Sequence, residues 1–211
     1  MIFNLKDMEM IDDKNSYKIL CEKNLICYFR GFLWSSGKEA GEESVKLLLK
    51  QYKKNKKIDF NELYGAYHII FINKENNLVE FFSDNAGHCC FYYNKQKNLI
   101  SDSFLEIIKV SEKVTPNYSA ITEFIHFNCI YSEDTICKEI SRTDAINFYM
   151  FQSRRLMSAD KSLNIWESGK KYQELNDFIS DTVYAAKNLK ITDIITGGTD
   201  SRTVLAHLAS L

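Results

Sequence analysis

Residues 64–84 read YGAYHIIFINKENNLVEFFSD, and this stretch decides the fold class. Two runs rich in aromatic and β-branched residues, 64–73 and 78–84, flank a short polar segment of Asn, Lys and Glu. Such runs favour strands, and a polar segment of this length favours a turn between them. The stretch therefore predicts an antiparallel hairpin.

Other strand-like runs lie on both sides of the hairpin. CCFYYN at 89–94 and LISD at 99–102 follow it after short turns, and we expect all four runs to form one antiparallel meander. LICYFRGFL at 25–33 and AINFYMFQ at 145–152 have the same character. The first part of the chain therefore predicts a β-rich, layered domain.

Apolar residues at helical spacing indicate helices at 42–52, 118–127 and 172–189. After the third of these come a short strand pattern, ITDII at 191–195, a pair of glycines and a final helix pattern at 201–211. Helix, strand, glycine turn and helix is the order of an α/β nucleotide-binding domain. We therefore expect two domains, residues 1–167 and residues 168–211.

The composition excludes several classes of protein. The chain has 211 residues, 45% hydrophobic, and its 27 basic and 28 acidic residues leave a net charge of −1. That balance suits globular domains and offers no basic surface for nucleic acid or for an anionic membrane. No apolar stretch is long enough to span a membrane, and the N-terminus has no secretory signal, so we expect a cytoplasmic protein. The six cysteines lack metal-ligand spacing, and we expect reduced, mostly buried thiols.

The glycine turn lies within IITGGTDSRT, residues 194–203. A loop that leaves a strand and enters a helix offers free backbone N–H groups, and glycine lets that backbone approach phosphate oxygens. The stretch has no lysine and no GxGxxG pattern, so it fits neither a P-loop nor a dinucleotide fingerprint. What remains is a GGxDS turn.

ITGGTDSR, residues 195–202, is similar to the SGGxDS pyrophosphate loop of the ATP-pyrophosphatase domain in asparagine synthetases and their relatives, including β-lactam synthetases and lasso-peptide cyclases. Residues 62–94, 99–109 and 121–151 resemble, in order, landmarks of that family's class II glutamine amidotransferase domain. The resemblance implies an α+β fold: a layered antiparallel-sheet domain of the N-terminal-nucleophile amidohydrolase type, followed by the first α/β unit of a nucleotide-binding (PP-loop) domain.

The resemblance also implies roles for residues of the loop. Gly197 and Gly198 would bind phosphate through their N–H groups, while Thr196 and Ser201 would donate hydroxyl hydrogen bonds. Asp200 would face Mg²⁺, and Arg202 would add a phosphate contact. The implied reaction is ATP-dependent, AMP-forming amide-bond formation from a small-molecule or peptide carboxylate and an amine or ammonia donor, through an acyl-adenylate. ATP and Mg²⁺ would bind only with a complete synthetase domain.

The sequence departs from this family at the glutaminase nucleophile. Glutamine-using members carry a cysteine directly after the initiator Met, and here residue 2 is Ile2. Arg30-Gly31 stands where an Asn-Gly pair would supply the oxyanion hole. We therefore expect no glutaminase activity, as in β-lactam synthetase-like members.

Other interpretations stay open at this point. One strand and one helix cannot enclose a nucleotide, so we expect a truncated form that is inactive as 211 residues. The alternative is a non-catalytic scaffold, or a subunit that works with a separate synthetase subunit. The GGTDS stretch also fits a plain turn in which Thr199 or Asp200 caps a helix.

Overall fold

The computed structural model describes residues 1–12, 18–35, 40–55, 57–163, 175–188 and 199–209. These residues form a mixed α+β structure with two antiparallel sheets. The strands are β1 Ile2–Asn4, β2 Glu9–Asp12, β3 Lys18–Glu22, β4 Leu25–Trp34, β5 Tyr64–Asn73, β6 Leu78–Ser83, β7 Tyr92–Asn94, β8 Leu99–Ser101, β9 Ile140–Arg142, β10 Asn147–Gln152 and β11 Arg155–Asp160. The helices are α1 Glu42–Asn55, α2 Phe104–Val110, α3 Tyr118–Phe127, α4 Leu175–Ala186 and α5 Thr199–Leu208, with one 3₁₀ turn at Phe60–Glu62.

The strands divide between a five-stranded and a six-stranded sheet. The first has the order β2-β1-β8-β7-β9, and the second has the order β11-β10-β6-β5-β4-β3. The predicted hairpin is confirmed, since β5 pairs with β6 in a register that places Ile70 opposite Phe81. The predicted four-strand meander is wrong, because β7 and β8 belong to the other sheet.

The carboxylate of Asp84 explains why the chain leaves the second sheet after β6. Asp84 is fully buried, and its Oδ1 accepts hydrogen bonds from the backbone N–H groups of Ala86 and His88, both at 3.0 Å. Its Oδ2 accepts a third, from the N–H of Cys89, at 2.6 Å. This local side-chain-to-backbone bonding replaces a hairpin turn and directs the chain into the five-stranded sheet.

The first strand has buried side chains on both faces. Met1, Phe3 and Leu5 belong to one cluster of buried residues, together with apolar residues of β5 and β6 such as Ile70 and Phe81. Ile2 belongs to another cluster, which includes Ile107 of α2. Because side chains alternate along a strand, β1 contributes to two layers of the core at once.

Two compact units make up the described chain. The first comprises Met1–Gly31 with Ala66–Lys161, and the second comprises Phe32–Gly65 with Ser162–Leu211. In the second unit, the ring of Trp34 stacks on Tyr64 at a centroid distance of 4.7 Å, and Phe178 of α4 lies 6.0 Å from the same indole. The predicted boundary at residues 167 and 168 and the predicted strand at 191–195 lie outside the described residues. No helix in the described ranges has the length and apolar character needed to cross a membrane.

Candidate functional site

The candidate site in the first unit is the start of β1. Since β1 pairs antiparallel with β8, with Ile2 opposite Ser101, the beginning of one strand lies beside the end of the other. The Met1 amino group donates a hydrogen bond to Asp102 Oδ1 at 2.9 Å, and Ser101 Oγ donates to the Met1 carbonyl at 2.6 Å. The sheet register thus brings an amino group and a carboxylate together across 101 positions of sequence.

Asp102 is the electrostatic centre of this site. Its side chain is 3% exposed, and its second oxygen, Oδ2, accepts a hydrogen bond from Arg30 Nη1. Burial by itself would raise the pKa of Asp102, but the hydrogen bond and charge of the Met1 ammonium, with the charge of Arg30, hold that pKa below its usual range. Asp102 is therefore a carboxylate at neutral pH that pairs with two cations.

His68 of β5 is close enough to this ion pair for the charges of Asp102 and Arg30 to act on its pKa. Its Nε2 lies 3.0 Å from the carbonyl oxygen of Cys90, and burial lowers its pKa. A neutral ring that donates from Nε2 keeps Nδ1 as its unprotonated nitrogen. Across the sheet register from His68 is Ser83, whose Oγ is buried and has no hydrogen-bond partner within the part of the chain that the structure describes.

Ile2, at the position that the resemblance assigns to a nucleophile, has a buried apolar side chain. The side chain of Ile2 is 3% exposed and packs with Leu99 and Ile107. Because residue 2 is a strand position with an apolar environment, it can hold only an apolar side chain without loss of stability. Position 2 is therefore part of the core, and the replacement of a nucleophile by Ile2 stays a prediction.

Two thiols of the first unit, Cys27 and Cys89, have raised pKa values. Burial raises the pKa of Cys27 far above its usual value. Burial and the nearby Asp84 raise the pKa of Cys89 to about 11. A thiol must lose its proton to attack, so both stay unreactive near neutral pH. The expectation of mostly buried cysteines is wrong, however, because only Cys27 and Cys137 are buried and Cys21 is exposed.

The predicted nucleotide residues lie in the second unit. Thr196, Gly197 and Gly198 are outside the described residues, whereas Asp200, Ser201 and Arg202 are in the first turn of α5. Ser201 is half-buried and Arg202 is exposed. The first turn of a helix has backbone N–H groups without intrahelical partners, which attract anions. The phosphate and Mg²⁺ roles expected of Asp200, Ser201 and Arg202 stay predictions.

Sequence reasoning missed the ion pair at the start of β1. It placed a landmark on residues 99–109 without singling out Asp102, and it noted Arg30 only as a replacement in an expected Asn-Gly pair. The only signal was an acidic residue directly after a strand-like run. Its partner is set by a register that no local pattern contains.

The residues singled out in this section belong to different units. Ile2, Arg30 and Asp102 belong to one unit, and Ser201 belongs to the other. In the first unit, Asp102 pairs with Met1 and Arg30; in the second, Ser201 lies in the first turn of α5, and its phosphate role stays a prediction. A scan against protein-family models found no match to this chain, and a search of curated proteins found no significant match.

Proposed function

We propose that this protein is asparagine synthase-like and that its parent activity is ATP-dependent, AMP-forming amide-bond formation through an acyl-adenylate. In this proposal, residues 1–167 are an amidotransferase-like domain of the N-terminal-nucleophile type that has lost its glutaminase activity. Residues 168–211 are the beginning of a PP-loop ATP-pyrophosphatase domain. The protein would act in the cytoplasm on a carboxylate and an amine or ammonia.

One observation carries the proposal: the first strand of the chain lies inside an antiparallel sheet, and its amino group is held by a buried carboxylate. Met1 is 7% exposed, and the Asp102 side chain that pairs with its amine is 3% exposed. An enzyme that uses an amino-terminal nucleophile needs its first strand in such a position, with polar groups around the amine. The position of this first strand supports the N-terminal-nucleophile type of fold, although the amine held by Asp102 belongs to Met1, one residue before the expected position of the nucleophile.

The same site supports a lost glutaminase activity. Ile2 offers no nucleophilic atom, and Asp102 is already paired with Met1 and Arg30, so it is not free to bind the α-amine of a substrate. Cys89 stays protonated because its pKa is raised to about 11. Without a covalent route, the domain cannot release ammonia from glutamine, and the amine must come from another source.

The second unit would supply the nucleotide chemistry. Bound ATP with Mg²⁺ supplies an electrophilic α-phosphorus for attack by the substrate carboxylate. Ser201 would donate its hydroxyl to a phosphate oxygen and Asp200 would orient the metal, while Gly197 and Gly198 would offer N–H groups. A helix N-terminus favours each phosphate charge by about 0.3–1 kcal/mol when exposed, so binding would be weak unless further chain encloses the loop. The Ser201 hydroxyl therefore has a positioning role that depends on that enclosure.

The first test is ammonia release from glutamine by the purified chain. We expect no release above a buffer control, with free ammonium added as a calibration standard. The thiol variants Cys27→Ser and Cys89→Ser serve as matched controls, since neither should alter the background. Release that survives further purification and disappears in either variant would identify a working nucleophile and overturn the proposal for the first domain.

A further inference from the structure

The first unit contains a cavity that the proposed function does not use. Its volume is about 380 Å³, within the range of roughly 300–1,000 Å³ that is usual for small-molecule sites. All of its lining residues lie between Tyr92 and Arg142, so it is formed within one unit. Most of the lining is apolar, and the aromatic and aliphatic walls come from Tyr92, Phe104, Phe124, Ile130 and Ile136.

Aromatic side chains form part of the walls, and solvent contacts some of the lining. The rings of Tyr92 and Phe104 are 5.4 Å apart and tilted by 52°. Phe124 of α3 is 47% exposed and Ile136 is 42% exposed, although both line the cavity. An apolar ligand that covers these side chains would remove apolar surface from water, which favours binding.

One wall of the cavity carries a guanidinium that is fixed in place. Arg142 Nε donates a hydrogen bond to the carbonyl of Ser132 at 3.1 Å, and Nη2 donates to the carbonyl of Ile130. An arginine has five N–H donors, so these two bonds hold the group while leaving others for a ligand. No carboxylate in the described ranges forms an ion pair with Arg142.

A carboxylate is also present, at a separate place on the lining. Asp134 is exposed, and its backbone N–H bonds to Ser132 Oγ at 3.2 Å. Asp134 and Arg142 do not pair with each other within the described part of the chain. The cavity therefore combines apolar walls with one fixed cation and one separate anion.

We propose that this cavity binds a compact apolar carboxylate, with an aromatic or branched body of about the size of phenylalanine. The body would lie against Phe104 and Phe124, and the carboxylate would accept hydrogen bonds from the free N–H groups of Arg142. A preorganised, charge-assisted bond of this kind gives orientation, while the apolar walls give affinity. Asp134 would distinguish between two kinds of carboxylate ligand. A free α-amino acid has an ammonium group that could pair with Asp134, and a simple carboxylic acid has none.

The test is calorimetric titration of the whole chain, without nucleotide, with three probes: 3-phenylpropanoate, L-phenylalanine and 2-phenylethylamine. We expect both carboxylates to bind and the amine not to bind. Tighter binding of L-phenylalanine that is lost in Asp134→Asn would identify an α-amino acid, and equal binding of both carboxylates would identify a simple acid. Because the titration needs neither ATP nor glutamine, its result is independent of the proposed amide-bond chemistry.

Matched variants on one helix distinguish binding in the cavity from non-specific hydrophobic binding to the surface. Phe124→Ala should weaken binding of 3-phenylpropanoate about 10-fold, while Phe127→Ala, which removes a ring that is 62% exposed and outside the cavity, should leave it unchanged. Arg142→Gln should weaken binding about 10- to 100-fold, since it removes a charge-assisted bond. The proposal would be overturned if the two Phe variants had equal effects, or if 2-phenylethylamine bound as tightly as the carboxylates. It would also be overturned if neither carboxylate bound at a concentration of about 10 mM. If Arg142→Gln does not fold, the two Phe variants still decide the matter.

Discussion

Replacing Asp102 by asparagine tests the ion pair at the start of β1. The Met1 nitrogen and Asp102 Oδ1 are 2.9 Å apart, which at an effective dielectric constant of about 20 corresponds to about 6 kcal/mol of attraction before desolvation. Breaking a buried pair from one side typically costs about 3–5 kcal/mol, because the other charge remains buried. Arg30 is half exposed, and water can solvate it, so most of the loss falls on the amine.

We expect Asp102→Asn to lower the free energy of unfolding by about 3 kcal/mol at pH 7, and to lower the melting temperature by roughly 6–12 °C. Urea denaturation followed by far-UV circular dichroism measures the first quantity. Glu112→Gln is the matched control: it breaks an ion pair of similar length, 3.0 Å, whose carboxylate is 88% exposed, and should cost at most about 1 kcal/mol.

The difference in free energy of unfolding between wild type and Asp102→Asn should also depend on pH, which provides an independent check. The pKa of Asp102 is lowered in the folded protein, so its contribution is fully present above the unfolded value of about 3.9 and is lost as the pH falls through the folded value. The gap between wild type and Asp102→Asn should therefore be constant from pH 7 to about pH 5 and should shrink below about pH 4. A cost equal to that of Glu112→Gln, or a gap that does not change with pH, would refute the ion pair as we describe it.

Two further predictions concern the backbone and a buried lysine. Gly65 has φ +116°, and a Cβ there would lie 2.0 Å from the carbonyl oxygen of Phe32; Gly41 has a similar φ of +92° but open space around it. Gly65→Ala should thus cost about 2 kcal/mol or more beyond Gly41→Ala in a urea titration, and equal costs would show that the close approach is absent. Lys161 Nζ donates to the carbonyls of Ser83 and Ala145, both at 2.7 Å, and burial lowers its pKa to about 8. Since the unfolded state then binds more protons above pH 8, the stability of wild type relative to Lys161→Met should rise by about 1–2 kcal/mol between pH 8 and pH 9.5, and a flat or falling difference would contradict this assignment.

Local patterns were enough to predict those elements whose stability is local. Helix α3 begins and ends at Tyr118 and Phe127, as its periodicity predicted, because Asn117 caps its first turn and Asn128 takes the left-handed conformation at its end. The hairpin of β5 and β6 was equally visible, since both strands are long and apolar.

Features that depend on distant partners were not visible in the sequence. Strand β1 has only three residues and is stabilised by β8, about a hundred positions away. The change of sheet after β6 depends on three N–H groups that donate hydrogen bonds to Asp84. An aspartate at the end of a strand does not by itself predict such a change. The ion pair of Met1 with Asp102 depends on the pairing of β1 with β8, so this candidate site could not be predicted from the sequence.

The proposed amide-bond chemistry is tested most directly by identifying the products of ATP with phosphorus NMR. The assay should use residues 1–211 followed by a complete ATP-pyrophosphatase domain, supplied with Mg²⁺, a panel of carboxylates and ammonium. We predict AMP and pyrophosphate, formed only with a suitable carboxylate, and a loss of orders of magnitude in Ser201→Ala but not in Ser119→Ala, which changes an exposed serine of α3. Residues 1–211 alone should give no turnover. Formation of ADP and phosphate instead, or full activity in Ser201→Ala, would contradict an AMP-forming ligase that uses this loop.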